Sequence, residues 1–175
     1  MGLAVMGHYQ ATPGPDGASP IQWPRESPIE RDPSKFTLIM FAHPHCPCTR
    51  ASIAELARIM TRTNGRIDCR VLFVQSETAA PEPEMTENWQ ASAEIPGVRV
   101  LYDSGGVSAR LFGVRTSGQV VLYDPQGKLM FQGGITRARG HQGDNAGAEA
   151  VLAVMKGDSP SCRSAPVFGC ALLDP

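Results

Sequence analysis

Four side chains able to bind a soft metal or carry electrons fall within six residues, in the run His43-Pro44-His45-Cys46-Pro47-Cys48. A thiolate is both a nucleophile and a metal ligand, and an imidazole both moves protons and binds metals, so two chemistries suit the run. One is thiol–disulfide exchange through Cys46 and Cys48. The other is metal handling, in which His43, His45, Cys46 and Cys48 form a His-x-His-Cys-x-Cys set for Cu(I) or Zn(II). Pro44 and Pro47 stiffen the run, and in strand geometry His45 and Cys46 point apart, so exchange, which needs no cofactor, is the leading reading.

The elements around the run decide how its cysteines behave. Phe36, Leu38, Ile39, Met40 and Phe41 form an apolar stretch too short to cross a membrane, which suits a strand buried on both faces of an α/β sheet. After Thr49 the period becomes helical: Ile53, Leu56, Ala57 and Met60 fall on one face, and Asn64-Gly65 ends the helix. Cys46 and Cys48 therefore stand where a strand gives way to a helix. Free backbone N–H groups and the helix dipole stabilise a thiolate there, lowering a cysteine pKa from about 8.5 to roughly 3.5–7.5. Side chains at i and i+2 of a helix diverge, so a disulfide between these two requires Cys46 to lie outside the helix, which Pro47 permits. The small ring is strained and easily reduced. On this reading Cys46, at the solvent edge of the helix start, attacks a partner disulfide, and Cys48, turned inward, resolves the mixed disulfide. The direction of electron flow is open.

Further along, residues 66–74 alternate as a strand with Cys69 on its apolar face, an inert buried thiol. The Glu- and Pro-rich stretch 76–88 reads as a polar loop without chemistry, leading to a short helix over 89–93. A strand over 98–102, a helix over 107–112, and strands over 120–123 and 129–131 around the turn Asp124-Pro125-Gln126-Gly127-Lys128 follow, then a helix over 145–157. Between hairpin and last helix, residues 133–145 hold four glycines, two arginines and His141, a shaped loop that could cover the cysteines. No phosphate-loop motif is present.

The run FAHPHCPC resembles the active-site entry of the thioredoxin superfamily, with Cys46 as the first cysteine and Thr49 where the second usually stands. FGVRTSGQVVLYDPQGKLMFQGGIT, residues 112–136, resembles the hairpin half of extracytoplasmic thioredoxins of the TlpA/ResA type. HPHCPCTRAS, TSGQVVLYD, GGITRARGHQGDNAG and PVFGC together are most similar to RedB-like proteins, over about residues 34–170. The resemblance implies an α/β thioredoxin-like three-layer sandwich with a central mixed sheet flanked by helices. It implies thiol–disulfide oxidoreductase activity on protein thiols and disulfides in the periplasm or another extracytoplasmic space. It also aligns Ser117-Gly118 with the residue and cis-proline that usually lie against the cysteines; here glycine replaces the proline.

Composition narrows the partners. With 175 residues, 42% of them apolar, the chain has material for one core, and 16 basic against 17 acidic residues leave no electrostatic footprint for nucleic acid. Residues 1–33 carry six prolines among glycines and read as a flexible linker, with 34–175 as the single domain. Gly2-Leu3-Ala4-Val5-Met6 suggests the remnant of a membrane anchor, and Trp23 either docks on the domain or sits at a membrane interface. At the other end, Cys162 and Cys170 are spaced to close a small structural disulfide; the alternative is that one of them resolves a mixed disulfide at Cys46.

Overall fold

The apolar run at 36–41 forms strand β1 (Phe36–Ala42), the middle of the sheet, in a computed structural model that describes residues 10–75 and 86–172. Around it the chain forms α1 (Thr49–Thr63), β2 (Ile67–Gln75), α2 (Glu87–Ala93), β3 (Val98–Ser104), α3 (Val107–Leu111), β4 (Gln119–Tyr123), β5 (Leu129–Gly134), α4 (Ala146–Lys156) and β6 (Ser164–Ala165). The sheet order is β3-β2-β1-β4-β5-β6. β1 pairs parallel with β2 and antiparallel with β4, so Met40 lies between Val71 and Val120. The mixed sheet and its helices match the expected architecture. The two-residue β6, parallel to β5, was not anticipated.

Both faces of the central strands are apolar, and the two faces are covered differently. Leu38 and Met40 share one core with Ile53, Leu56 and Ile59 of α1 and Val151 and Val154 of α4. Ile39 and Phe41 face the other way, into a core with Tyr123, Phe112, Ile29 and Leu172. Among the described residues, the one helix packed on that second face is α3, five residues long. The rest of the cover comes from the chain ends.

Residues 10–33, expected to be a flexible linker, therefore lie along the domain instead. Trp23 packs edge-on against Phe112 and Tyr123, with ring centroids 4.9 and 5.2 Å away, and Arg31 stacks over its indole. The Trp23 N–H donates to Gly127 O at 2.8 Å, and Leu129 N–H donates to Ile21 O at 2.8 Å, which adds a strand-like contact beside β5. The buried Tyr123 hydroxyl donates to Pro20 O. The physical reason is the uncovered sheet face: prolines do not forbid docking when a tryptophan and an isoleucine can be buried by it. The suggested anchor remnant at 2–6 lies outside the described residues, among which no helix is long and apolar enough to cross a membrane.

Candidate active site

Strand β1 ends at Ala42 and helix α1 starts at Thr49, so the six-residue run is the connection between them. Two tight turns build it: Cys46 N–H donates to His43 O, and Thr49 N–H donates to Cys46 O, each at 3.2 Å. Cys48 takes the N-cap position and Cys46 stands outside the helix. The buried Asn88 on α2 clamps the turn, its Nδ2 donating to Pro44 O and Cys46 O at 3.0 Å each. The segment that looked devoid of chemistry thus holds the turn in place.

The exposure of the two cysteines is the reverse of the expectation. Cys46 is buried at 1% exposure, whereas Cys48 is half-buried and Pro47 is exposed. The cover on Cys46 is the C-terminal tail. Ser117 N–H donates to Cys170 O at 2.8 Å and Leu172 N–H to Arg115 O at 2.9 Å, so residues 170–172 run antiparallel to 115–117. Gly169 sits so close to Ser117 O that a Cβ there would be 1.9 Å from it. Leu172 is buried in the second core and anchors the tail. The Cys170 and Cys46 sulfurs come to 3.0 Å, close enough to share a proton.

The structural disulfide expected between Cys162 and Cys170 is therefore not formed, and both are free thiols. Cys162 packs at the edge of the first core with its sulfur 3.8 Å from Ala146 O, while the tail's pairing with 115–117 carries Cys170 to Cys46. Closing a loop eight positions long would compete with that backbone pairing.

Electrostatics separate the three clustered thiols. Burial alone would raise the Cys46 pKa, but hydrogen bonds from the Thr49 hydroxyl, the Cys170 thiol and the Cys170 and Cys48 backbone N–H groups outweigh it, bringing the pKa down to about 7. Cys170 is pushed up to about 12 by burial and by its hydrogen bond and proximity to Cys46. Burial and the Cys46 charge raise Cys48 too, partly offset by Arg139. Cys69, fully buried on β2, is raised by burial and stays a spectator.

The Thr49 hydroxyl is part of a relay. Ser117 Oγ accepts from His43 N–H at 2.8 Å and lies 2.7 Å from Thr49 Oγ1. One Ser117 lone pair is engaged by His43; since the Thr49 proton goes to Cys46, the proton shared between the two hydroxyls is that of Ser117. Thr49 and Ser117 thus both reach the sulfur, one directly and one through its neighbour.

Gly118 adopts φ +89°, with its N–H donating to Phe41 O at 2.7 Å. Proline could supply neither that dihedral nor that donor, which is why glycine replaces it here. No cis peptide bond occurs among the described residues. The residue before it, Ser117, pairs with the chain's own tail through Cys170 O.

The histidines are less central. His43 Nδ1 accepts from the His45 N–H at 3.2 Å, and the two rings stand 6.1 Å apart. His45 is exposed. Among the described residues no group of three or more His, Cys, Asp or Glu side chains is placed to hold a metal ion, so the His-x-His-Cys-x-Cys set is not gathered. His141 engages its own loop, Nδ1 lying 2.7 Å from Arg139 O. Arg139 is the residue of that loop which reaches the site: its Nη1 donates to Gly169 O at 2.5 Å and its charge favours the Cys48 thiolate.

No family model matches the chain, and no curated protein matches it. Solved structures do. A hypothetical protein from Sinorhizobium meliloti aligns over 79% of this chain and 79% of its own, at 23% identity and a TM-score of 0.65. An uncharacterized conserved protein from Geobacillus kaustophilus aligns over 95% and 90%, at 19% identity and 0.67. A candidate thioredoxin from Neisseria meningitidis aligns over 72% and 77%, at 17% identity and 0.52. At such identities the likeness is one of backbone, and it agrees with the strand order and the cysteines at the start of α1: the chain has a thioredoxin-like fold.

Proposed function

We propose that this chain is a thiol–disulfide oxidoreductase of protein thiols and disulfides, working outside the cytoplasm, with the Cys-Pro-Cys turn as its redox centre and Cys46 as the attacking sulfur. The observation that carries the reading is the environment of Cys46: a sulfur held near pKa 7 by directed hydrogen bonds, with two higher-pKa thiols beside it. A thiolate attacks well when its pKa is near ambient pH, because it is then both ionised and still basic enough to be nucleophilic.

In the reducing direction the Cys46 thiolate attacks one sulfur of a partner disulfide, forming a mixed disulfide and releasing the other partner sulfur as a thiolate. A second thiol of this chain then displaces the partner. The partner leaves as a dithiol, and the chain is left with one disulfide. The thioredoxin-like fold and the resemblance of HPHCPC to RedB-like sequences support the reading, and the TlpA/ResA-like hairpin supports the extracytoplasmic placement.

Insulin reduction with dithiothreitol as the electron source tests it. The wild-type chain should accelerate turbidity, and Cys46→Ser should abolish the acceleration. Undiminished activity in Cys46→Ser would remove the basis of the proposal.

A further inference from the structure

We propose that Cys170 is the resolving thiol, so that the disulfide produced by turnover is Cys46–Cys170 rather than Cys46–Cys48. The inference rests on the oxidoreductase reading above and names the second sulfur of its reaction.

Three observations carry it. The Cys170 sulfur already lies 3.0 Å from that of Cys46, so a bond of about 2.05 Å needs only about 1 Å of approach. Cys48 would have to close onto a residue two positions away while its own backbone, at φ −69° and ψ −26°, is committed to starting α1. The tail is also a built element rather than a passing contact: hydrogen bonds at Cys170 O, Leu172 N and Gly169 O fix it, and Leu172 is buried beneath it.

The tail leaves one flank of the Cys46 turn open. A cleft of about 570 Å³ opens on Cys46, walled by residues 44–47, Arg50 and residues 86–88. Among the described residues no tail residue lines it, but Cys46 is only 1% exposed beneath Cys170, so a partner sulfur entering here reaches Cys46 Sγ only when the Cys170 thiol swings aside.

The step balances without another reactant. In the mixed disulfide the Cys46 sulfur is bonded to the partner sulfur and carries no charge. The influence of that charge on Cys170 is gone, while Arg139 still favours the Cys170 thiolate. The Cys170 sulfur attacks Cys46 Sγ, the Cys46–partner bond breaks, and the proton given up by Cys170 ends on the departing partner thiol. Two electrons have moved from the Cys46/Cys170 pair to the partner disulfide. A dithiol reductant then reopens the bond.

The test treats the fully reduced chain with glutathione disulfide, quenches in acid, alkylates free thiols and maps linked peptides by mass spectrometry. Wild type should give the Cys46–Cys170 link with Cys48 alkylated, and Cys48→Ser should form the same link. Cys170→Ser should accumulate glutathione on Cys46, cleared about tenfold more slowly or worse, because a positioned thiol has been lost. A Cys46–Cys48 link with Cys170 alkylated in wild type overturns this inference alone, as does clearance at the wild-type rate in Cys170→Ser. A wild-type chain that leaves glutathione disulfide untouched overturns the oxidoreductase reading as well. Should Cys170→Ser fail to fold, the wild-type link map decides by itself.

Discussion

Thr49→Val removes a single hydroxyl from the buried site and keeps the side-chain shape, so its effect on Cys46 can be worked out in advance. The hydroxyl is the foremost of the groups that hold the Cys46 pKa down to about 7 against burial. A hydrogen bond to a charged group contributes about 1.5–3 kcal/mol, and one pKa unit corresponds to about 1.4 kcal/mol, so the pKa should rise by about 1–2 units. At pH 7 the thiolate fraction then falls from about one half to about one tenth or less. Iodoacetamide labelling of Cys46, followed by peptide mapping on the reduced chain, should be about fivefold slower or worse at pH 7 and approach the wild-type rate above about pH 9. Ser117 keeps its bond from the His43 N–H, so the turn has no reason to collapse. A Cys46 pKa that moves by less than about half a unit in Thr49→Val would refute the relay and leave the Cys170 thiol and the backbone N–H groups as the source of the acidity.

The other perturbations probe what holds the site. Asn88→Ala leaves Pro44 O and Cys46 O without their donor and should cost about 1–3 kcal/mol in urea unfolding, with a raised Cys46 reactivity threshold; an unchanged midpoint would remove Asn88 from the clamp. Trp23→Ala should destabilise the chain by about 2 kcal/mol, below the roughly 3–5 of a fully buried aromatic because Trp23 is half-buried; no effect on unfolding would restore the linker reading of 10–33. The stability of the reduced chain should rise by about 1.5 kcal/mol relative to Cys46→Ser between pH 6.5 and 8.5, toward about 2 at higher pH, since Cys46 is near 7 when folded and about 8.5 when unfolded, and the unfolded state binds more protons in that window. That contribution is complete above the unfolded value and lost as pH falls through 7. Cys69, raised by burial in both chains, cancels from the difference, and a flat difference curve would contradict the lowered Cys46 pKa.

What the sequence made legible is what is local. A two-faced apolar strand, a change of period at Thr49 and an αL pair at 64–65 report on neighbours in the chain, and α1 ends as they say, with Asn64 at φ 48° donating to Met60 O. The resolving candidate was named only as an alternative, because nothing near Cys170 reports on a residue 124 positions away. Loop-closure reasoning favoured Cys162 on the ground of proximity in sequence, yet it is silent about backbone pairing, which decides the matter here. Gly169 was the available signal: a small residue directly before a cysteine permits the close approach to Ser117 O that the pairing needs. In residues 10–33 composition and burial pull in opposite directions. Six prolines in residues 1–33 point to a linker, and the docking of Trp23 is one of two alternatives in the sequence; what favours it, together with the burial of Ile29, is a sheet face with one short helix to cover it.

The two elements that were misread, the N-terminal segment and the tail, meet at the site, and Arg139 joins them. Its backbone N–H donates to Gln10 O at 3.0 Å and its Nε to Thr12 O at 3.2 Å, while Nη1 holds Gly169 O and the charge bears on Cys48. Gly14 N–H donates to Val167 O at 2.8 Å, and the Thr116 hydroxyl donates to Pro15 O, so the same segment braces the tail at Val167 and, at Thr116, the stretch the tail pairs with. The position of Cys170 against Cys46 therefore depends on residues 10–15 as much as on the tail itself. Removing the N-terminal segment would free Arg139 from two carbonyls and take away one support from the tail and one from the residues it pairs with. The reactivity of the thiols is in this way tied to a stretch that contributes no chemical group of its own.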